Sequence, residues 1–283
     1  AIAALAGDAG KTLVSLGITA ALQRRGVRVA PFKKGPDYID AAWLGVAAGR
    51  PAHHLDTFLM PDAGVLTALV RGSAGADLAL IEGNRGLFDG ADERGTHCTA
   101  ALARRVGAPI VLVVDATKAT RSLAALVLGC RALDPGAPLA GVILNRVGNE
   151  RHARVARAAI TNEAGIPVLG AVPRLDFDPL PARHLGLRTP EEHPATRRAL
   201  DGLRAVIEAA VDLDALERLA ATAPALPAPE TPPPTPAPTV RVGVLRDAAF
   251  SFYYPENLAA LEAAGQAENT IVIYFSDNGR SEE

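Results

Sequence analysis

Gly7, Asp8, Gly10, Lys11 and Thr12 stand together after a short apolar run and before a helical pattern carried by Leu13, Leu16, Gly17, Ala20 and Ala21. Glycines let backbone N–H groups turn toward one point, and a helix start adds partial positive charge, so the stretch suits a phosphate. A lysine here reaches the outer phosphates of a nucleotide, and a threonine hydroxyl reaches Mg²⁺. The full spacing G-x-x-x-x-G-K-T puts a glycine at position 5, where this chain has Leu5; the nearest glycine is Gly7. Carboxylates follow. Lys33, Lys34, Asp37 and Asp40 lie where one strand ends. A helical turn would put Asp37 and Asp40 on one side, to bind Mg²⁺ or orient a substrate carboxylate through a metal; a solvated turn with an Asp N-cap is the commoner origin of such a pair. Glu82 ends an apolar run, the arrangement that holds Mg²⁺ or its water. Asp89 adds a further acid in a glycine-bearing loop, and Asn145 closes another strand, where it would read a base edge or cap a turn.

Other reactive types have plainer readings. His53 and His54 are adjacent, point differently and read as structural. Cys98 is a thiol at a helix start or a small packed residue; no base or second cysteine is placed beside it by sequence, which favours packing. Cys130 lies in an apolar context and reads as core, and Arg183-His184 are a basic pair in a loop that covers a site or simply lies on the surface.

The elements that must position these groups alternate. Helices are expected over 11–25, 61–72, 98–105 (capped by Thr96 or Thr99), 119–133, 150–164 and 194–220. Between them lie buried strands over 27–32, 77–82, 109–115, 139–146 and 167–173, several ending in an acid or amide. Five or six such β–α units imply an α/β fold: a doubly wound parallel sheet with helices on both faces, of the phosphate-loop nucleotide-binding kind. Its reactive groups gather at the carboxyl ends of the strands, where open α/β sheets bind ligands. Eight prolines between Pro224 and Pro238 read as an extended, semi-rigid linker over 221–239. A strand at 239–245 and a helix at 258–264 then open a second α/β domain, of which little follows.

Composition sets limits. The chain has 283 residues, 49% hydrophobic and 4% aromatic, with a net charge of −2. Neither a basic surface nor stacking aromatics argue for nucleic acid. Two cysteines make no disulfide framework or zinc site and suit a reducing cytoplasm. No run of 18 apolar residues and no signal peptide ahead of the first strand are found, so neither membrane insertion nor export is expected. The start at Ala1, already inside a strand, reads as an N-terminally trimmed fragment.

The order of motifs GDAGKT, PFKKGPDYID, HHLDTFLM, EGNRGLFDG, PIVLVVDAT, GVILNRV, LPARHLGL and DAAFSFYYPENLAALEAAG resembles the cobyrinic acid a,c-diamide synthase family over residues 1–265. The resemblance implies a P-loop, dethiobiotin-synthetase-like ATPase domain over 1–220, the linker over 221–239, and the start of a class I glutamine amidotransferase-like domain over 240–265. It implies ATP and Mg²⁺ as cofactors, a corrinoid or related tetrapyrrole carboxylate as substrate, and ammonia or glutamine as nitrogen donor, with a homodimer among the possible assemblies. On this likeness Gly7, Asp8, Gly10, Lys11 and Thr12 hold ATP, and Thr12, Asp40 and Glu82 hold Mg²⁺. Lys33, Asp37, Asp40 and Asp89 serve the reacting carboxylate and phosphoryl group, and Asn145 lies near the adenine. Residues 266–283 depart from the family and look like a piece of a sulfatase. The glutaminase half is essentially missing, so the chain is expected not to hydrolyse glutamine. The alternative is a nucleotide-switch ATPase of the chromosome-partitioning kind; that family carries an extra lysine just before the glycine loop, where Leu5 and Ala6 stand here.

Overall fold

The computed structural model describes residues 1–176, 180, 182–183, 186–187, 189–190, 195–227 and 252–263. The expected strand at 239–245, most of the proline-rich stretch, His184 and the 266–283 tail lie outside them. The chain divides into two compact units, Ala1–Pro229 and Glu230–Glu283.

The first unit begins β1 (Ile2–Ala4), α1 (Lys11–Arg24), β2 (Val29–Lys34), α2 (Tyr38–Ala48), β3 (His53–Leu55), α3 (Asp62–Gly72), β4 (Leu78–Glu82) and α4 (Thr99–Val106). It continues β5 (Ile110–Asp115), α5 (Ser122–Leu133), β6 (Leu139–Val147), α6 (Glu150–Ala164) and β7 (Val168–Pro173). A short antiparallel pair, β8 (Ala182–Arg183) and β9 (Gly186–Leu187), precedes α7 (Thr196–Ala210) and α8 (Leu213–Ala220). In the second unit α9 spans Pro255–Ala263.

Strands β1 to β7 form one parallel sheet in the order β3-β2-β4-β1-β5-β6-β7. Alternation along each strand feeds two cores. Ile2, Ala4, Val111, Val113 and Ile143 face α1, α2, α7 and α8. Their neighbours Ala3, Leu112, Val114, Val142 and Leu144 face α4, α5 and α6, while Ala30, Phe32 and Ile81 extend that second face under α3. The strands are therefore buried on both sides, which is why they read as continuous apolar runs rather than alternating ones. Among the described residues, no helix is long and apolar enough to cross a membrane.

The doubly wound parallel sheet is as expected, and four details differ. Residues 38–48 and 53–55 add a helix and a strand the sequence reading left out. The helical stretch 194–220 is two helices, broken at Val211, which bridges to Gly170, and restarted by Asp212, whose carboxylate caps the Ala215 N–H at 2.8 Å. Helix α4 is capped by neither threonine: Cys98 Sγ accepts the Ala101 N–H, and the Thr99 hydroxyl donates to the Asn84 carbonyl. Finally, residues 221–227, the described part of the expected linker, pack on the first unit. Pro224 lies where a side chain on Gly107 would stand, and Leu226 packs on the core beneath α3.

Two helical glycines separate packing from propensity. A Cβ on Gly17 of α1 would stand 2.3 Å from Ile207 Cγ1 and 3.0 Å from the Leu203 carbonyl oxygen of α7, whereas a Cβ on Gly129 of α5 meets nothing within 4 Å. Denaturant titration should find Gly17→Ala less stable by about 1–3 kcal/mol. Gly129→Ala should be more stable by about 0.8–1 kcal/mol, the ordinary helix-propensity gain. Equal effects at the two positions would refute the packing account.

Candidate active site

The loop between β1 and α1 turns through two left-handed residues, Asp8 (φ 56°) and Gly10 (φ 88°). Gly10 is required twice over: its backbone sits where other residues are strained, and an added Cβ would come 2.0 Å from Asn145 Nδ2. Gly7, by contrast, has open space around it. Asn145, buried at the end of β6, donates from Nδ2 to the Ala9 carbonyl at 2.8 Å and so braces the loop from below. Neither a capping side chain nor an acid occupies the first turn of α1, which leaves its N–H groups and partial positive charge for an anion. Lys11 is buried, makes no ion pair among the described residues, and its pKa is lowered by that burial. Loss of water around an ammonium is compensated when a phosphate arrives.

Beside this loop lies a buried ion cluster. Parallel pairing of β2 with β4 puts Lys33 opposite Glu82, and the first turn of α2 brings in Asp40. Lys33 Nζ, 1% exposed, donates to Glu82 Oε1 at 2.8 Å and to Asp40 Oδ2. The Thr12 hydroxyl donates to Glu82 Oε1 at 2.8 Å, with Asp40 Oδ2 at 3.4 Å. Burial alone would lower the Lys33 pKa, but the charges of Glu82 and Asp40 raise it above the usual lysine value. Burial would raise Asp40, and Lys33 outweighs it to hold that carboxylate below its usual range. For Glu82 burial wins, and its pKa stays raised despite Lys33.

The other expected site residues are placed differently. Asp37 is the N-cap of α2, accepting the Asp40 N–H at 3.3 Å, and its pKa is raised by burial and then by Asp40. His54 joins this corner, its Nε2 lying 3.0 Å from the Asp37 carbonyl oxygen. Asp89 makes no hydrogen bond to the cluster among the described residues; its carboxylate accepts the Gly86 N–H at 3.1 Å and closes the loop after β4. At the ends of β5 and β6, Asp115 pairs with Arg146 at 2.6 Å, a contact the sequence reading did not single out.

The donor set fits Mg²⁺. Glu82 Oε2 is buried without a hydrogen-bond partner, and it sits with Asp40 and the Thr12 hydroxyl beside the phosphate loop. Among the described residues no group of three or more His, Cys, Asp or Glu forms a metal cage. Mg²⁺ needs none, since it usually takes one or two carboxylates together with nucleotide phosphates and water.

Lys33→Met leaves two carboxylates without their cation and should cost about 3–5 kcal/mol near neutral pH. The deficit should shrink on acidification. Glu82 is held above its ordinary 4.5 by burial, and loss of the ammonium raises it further. A carboxyl whose folded pKa exceeds its unfolded one regains stability as pH falls through the folded value. The wild type meanwhile loses the contribution of Asp40 as pH falls through that group's depressed pKa. Denaturation midpoints of both proteins across acid to neutral pH test this; a deficit that is constant or grows toward acid would refute it.

Residues 1–187 match the CobQ/CobB/MinD/ParA nucleotide binding domain. The chain is 46% identical over 271 residues to a cobyrinate a,c-diamide synthase of Magnetococcus marinus, covering 93% of this chain and 58% of that protein. It is 46% identical over 268 residues to a hydrogenobyrinate a,c-diamide synthase of Rhodobacter capsulatus, covering 94% and 60%. To a cobyrinate a,c-diamide synthase of Salmonella typhimurium it is 42% identical over 260 residues, covering 90% and 56%. The chain therefore spans less than two-thirds of the length of these relatives. With a phosphate loop at the head of a parallel sheet, acids at its carboxyl edge and this match over most of the first unit, the chain belongs to the family of the CobQ/CobB/MinD/ParA nucleotide-binding domain.

Proposed function

We propose that this chain is the ATP-binding part of an amide ligase that amidates the a and c side-chain carboxylates of cobyrinic acid or a closely related tetrapyrrole in cobalamin biosynthesis. The observation that carries the reading is the Lys33–Asp40–Glu82–Thr12 cluster against the phosphate loop, with Glu82 Oε2 left for a ligand. The relatives named as diamide synthases supply the substrate class.

In this reading the loop N–H groups, Lys11 and Thr12 hold ATP, and Thr12, Asp40 and Glu82 hold Mg²⁺, which supplies charge stabilisation at the phosphates. A carboxylate oxygen of the substrate attacks the γ-phosphorus; the bond from phosphorus to the ADP oxygen breaks and an acyl phosphate forms. Lys33 and Lys11 offset the negative charge spread over the transferring group. Ammonia, free or released from glutamine, then attacks the acyl carbon. The C–O bond to phosphate breaks, phosphate leaves, and the nitrogen loses a proton to give the amide. Asp37 orients α2, and so Asp40, toward this centre.

The test is phosphate release from Mg-ATP with ammonium, with and without cobyrinic acid. Release should require the corrinoid and fall about a hundredfold or more in Glu82→Gln, a loss of ~2.7 kcal/mol or more in transition-state stabilisation. Corrinoid-independent release would overturn the ligase reading and favour a nucleotide switch. Unchanged release in Glu82→Gln would remove Glu82 from the metal.

A further inference from the structure

Among the described residues, Phe58 and Leu59 are the one pair of sequence neighbours that are both large, apolar and strongly exposed, at 70% and 66%. They stand in the loop after β3, on the same carboxyl edge of the sheet as the ion cluster. This loop is built rather than loose. Buried Asp56 accepts the Phe58 N–H at 2.8 Å and the Leu59 N–H at 3.2 Å, and its carbonyl accepts the Met60 N–H at 2.9 Å. The Thr57 hydroxyl lies 3.0 Å from His97 Nδ1, and the Phe58 ring meets the His97 ring edge-on at 5.5 Å. His97 itself holds a left-handed backbone at φ 60°. A chain that fixes two apolar side chains in water by a buried carboxylate and a strained neighbour has given up their burial for another use.

Charge lies alongside. Lys34 pairs in register with Leu55, directly ahead of this loop. It is half-buried, within electrostatic reach of Asp56, Arg85 and Lys33, and its pKa is lowered by burial. Neither Lys34 nor exposed Arg85 makes an ion pair among the described residues. The edge thus offers an apolar platform and two cations, Lys34 and Arg85, within electrostatic reach of each other.

Resting on the ligase reading above, we propose that Phe58, Leu59 and the His97 ring form the platform for the apolar face of the macrocycle, while Lys34 and Arg85 hold a carboxylate of the same substrate that is not reacting. Such a ligand combines an apolar, methyl-bearing ring with several side-chain carboxylates at its rim. Both features of the patch match it, and the patch shares the carboxyl edge of the sheet with Lys33 and Glu82. These residues select the substrate; none of them touches the transferring phosphoryl group.

Equilibrium dialysis with cobyrinic acid, in the presence of a non-hydrolysable ATP analogue and Mg²⁺, separates the possibilities. The double variant Phe58→Ser, Leu59→Ser should bind the corrinoid about tenfold or more weakly, with ATP-analogue affinity within about twofold of wild type. Both side chains are exposed, so retained nucleotide binding reports an intact fold. Arg85→Gln should also weaken corrinoid binding, and high salt should erase its difference from wild type but not that of the double variant. Corrinoid binding by the wild type with an unchanged affinity in the double variant overturns this inference and leaves the ligase reading standing. No corrinoid binding by the wild type overturns both. A wild-type dimer that the double variant dissociates, with corrinoid affinity unchanged, assigns the patch to a second copy of the chain and overturns the proposal.

Discussion

An ammonium with almost no contact with water is stable only where negative charge replaces the water it has lost. Lys33 meets that condition through two carboxylates from different parts of the chain, Glu82 on the adjacent strand and Asp40 on the following helix. Most of the candidate site is arranged by this requirement. The register of β2 against β4 must bring Lys33 level with Glu82, α2 must start close enough to deliver Asp40, and α1 must place the Thr12 hydroxyl on the same carboxylate oxygen. A shift of one residue in β2 would turn Lys33 toward the opposite core and leave Glu82 buried and charged.

The balance within the cluster is uneven. Asp40 is held ionised by Lys33, while Glu82 is reluctant to ionise because burial outweighs the same lysine. Lys11 as well as Lys33 acts on both acids, and Glu82 Oε2 remains buried without a hydrogen-bond partner. In the function proposed above, a divalent cation held with a nucleotide would complete that balance, and Lys11 would meet the phosphates. Metal, nucleotide and protein charges are therefore complementary as a set.

Much of this was legible in the chain. The strands 77–82 and 109–115 stand out because both faces of a parallel sheet are buried, so apolar residues run without interruption and the terminal acid is conspicuous. Glu82 could be named for that reason, Lys11 and Thr12 by the glycine-rich loop at a helix start, and Asp40 by its spacing from Asp37. Helix α2 and strand β3 were hidden: α2 is apolar on nearly every side around Trp43 and shows no helical stripe, and β3 has only three residues. The burial of Lys33 depends on a strand pairing between residues far apart in sequence, which no local pattern reports. The same is true of Asn145, whose amide holds the Ala9 carbonyl 136 positions away. The cap of α4 misled because a cysteine sulfur did what a hydroxyl usually does. The exposed pair Phe58–Leu59 looks in sequence like any apolar dipeptide; only its solvent exposure and the rigid turn beneath it give it meaning.

The contact between Gly10 and Asn145 also bears on how such a chain can change through descent. With 2.0 Å between the amide and the place of a first side-chain carbon, the two positions share one volume and cannot be altered independently. A larger residue at position 10 meets both the left-handed backbone and the Asn145 amide; shrinking position 145 relieves only the second, and it releases the carbonyl that keeps the loop in shape. Every route away from this pair passes through a worse intermediate. The phosphate loop is thus locked historically as well as sterically, by a residue near the middle of the chain.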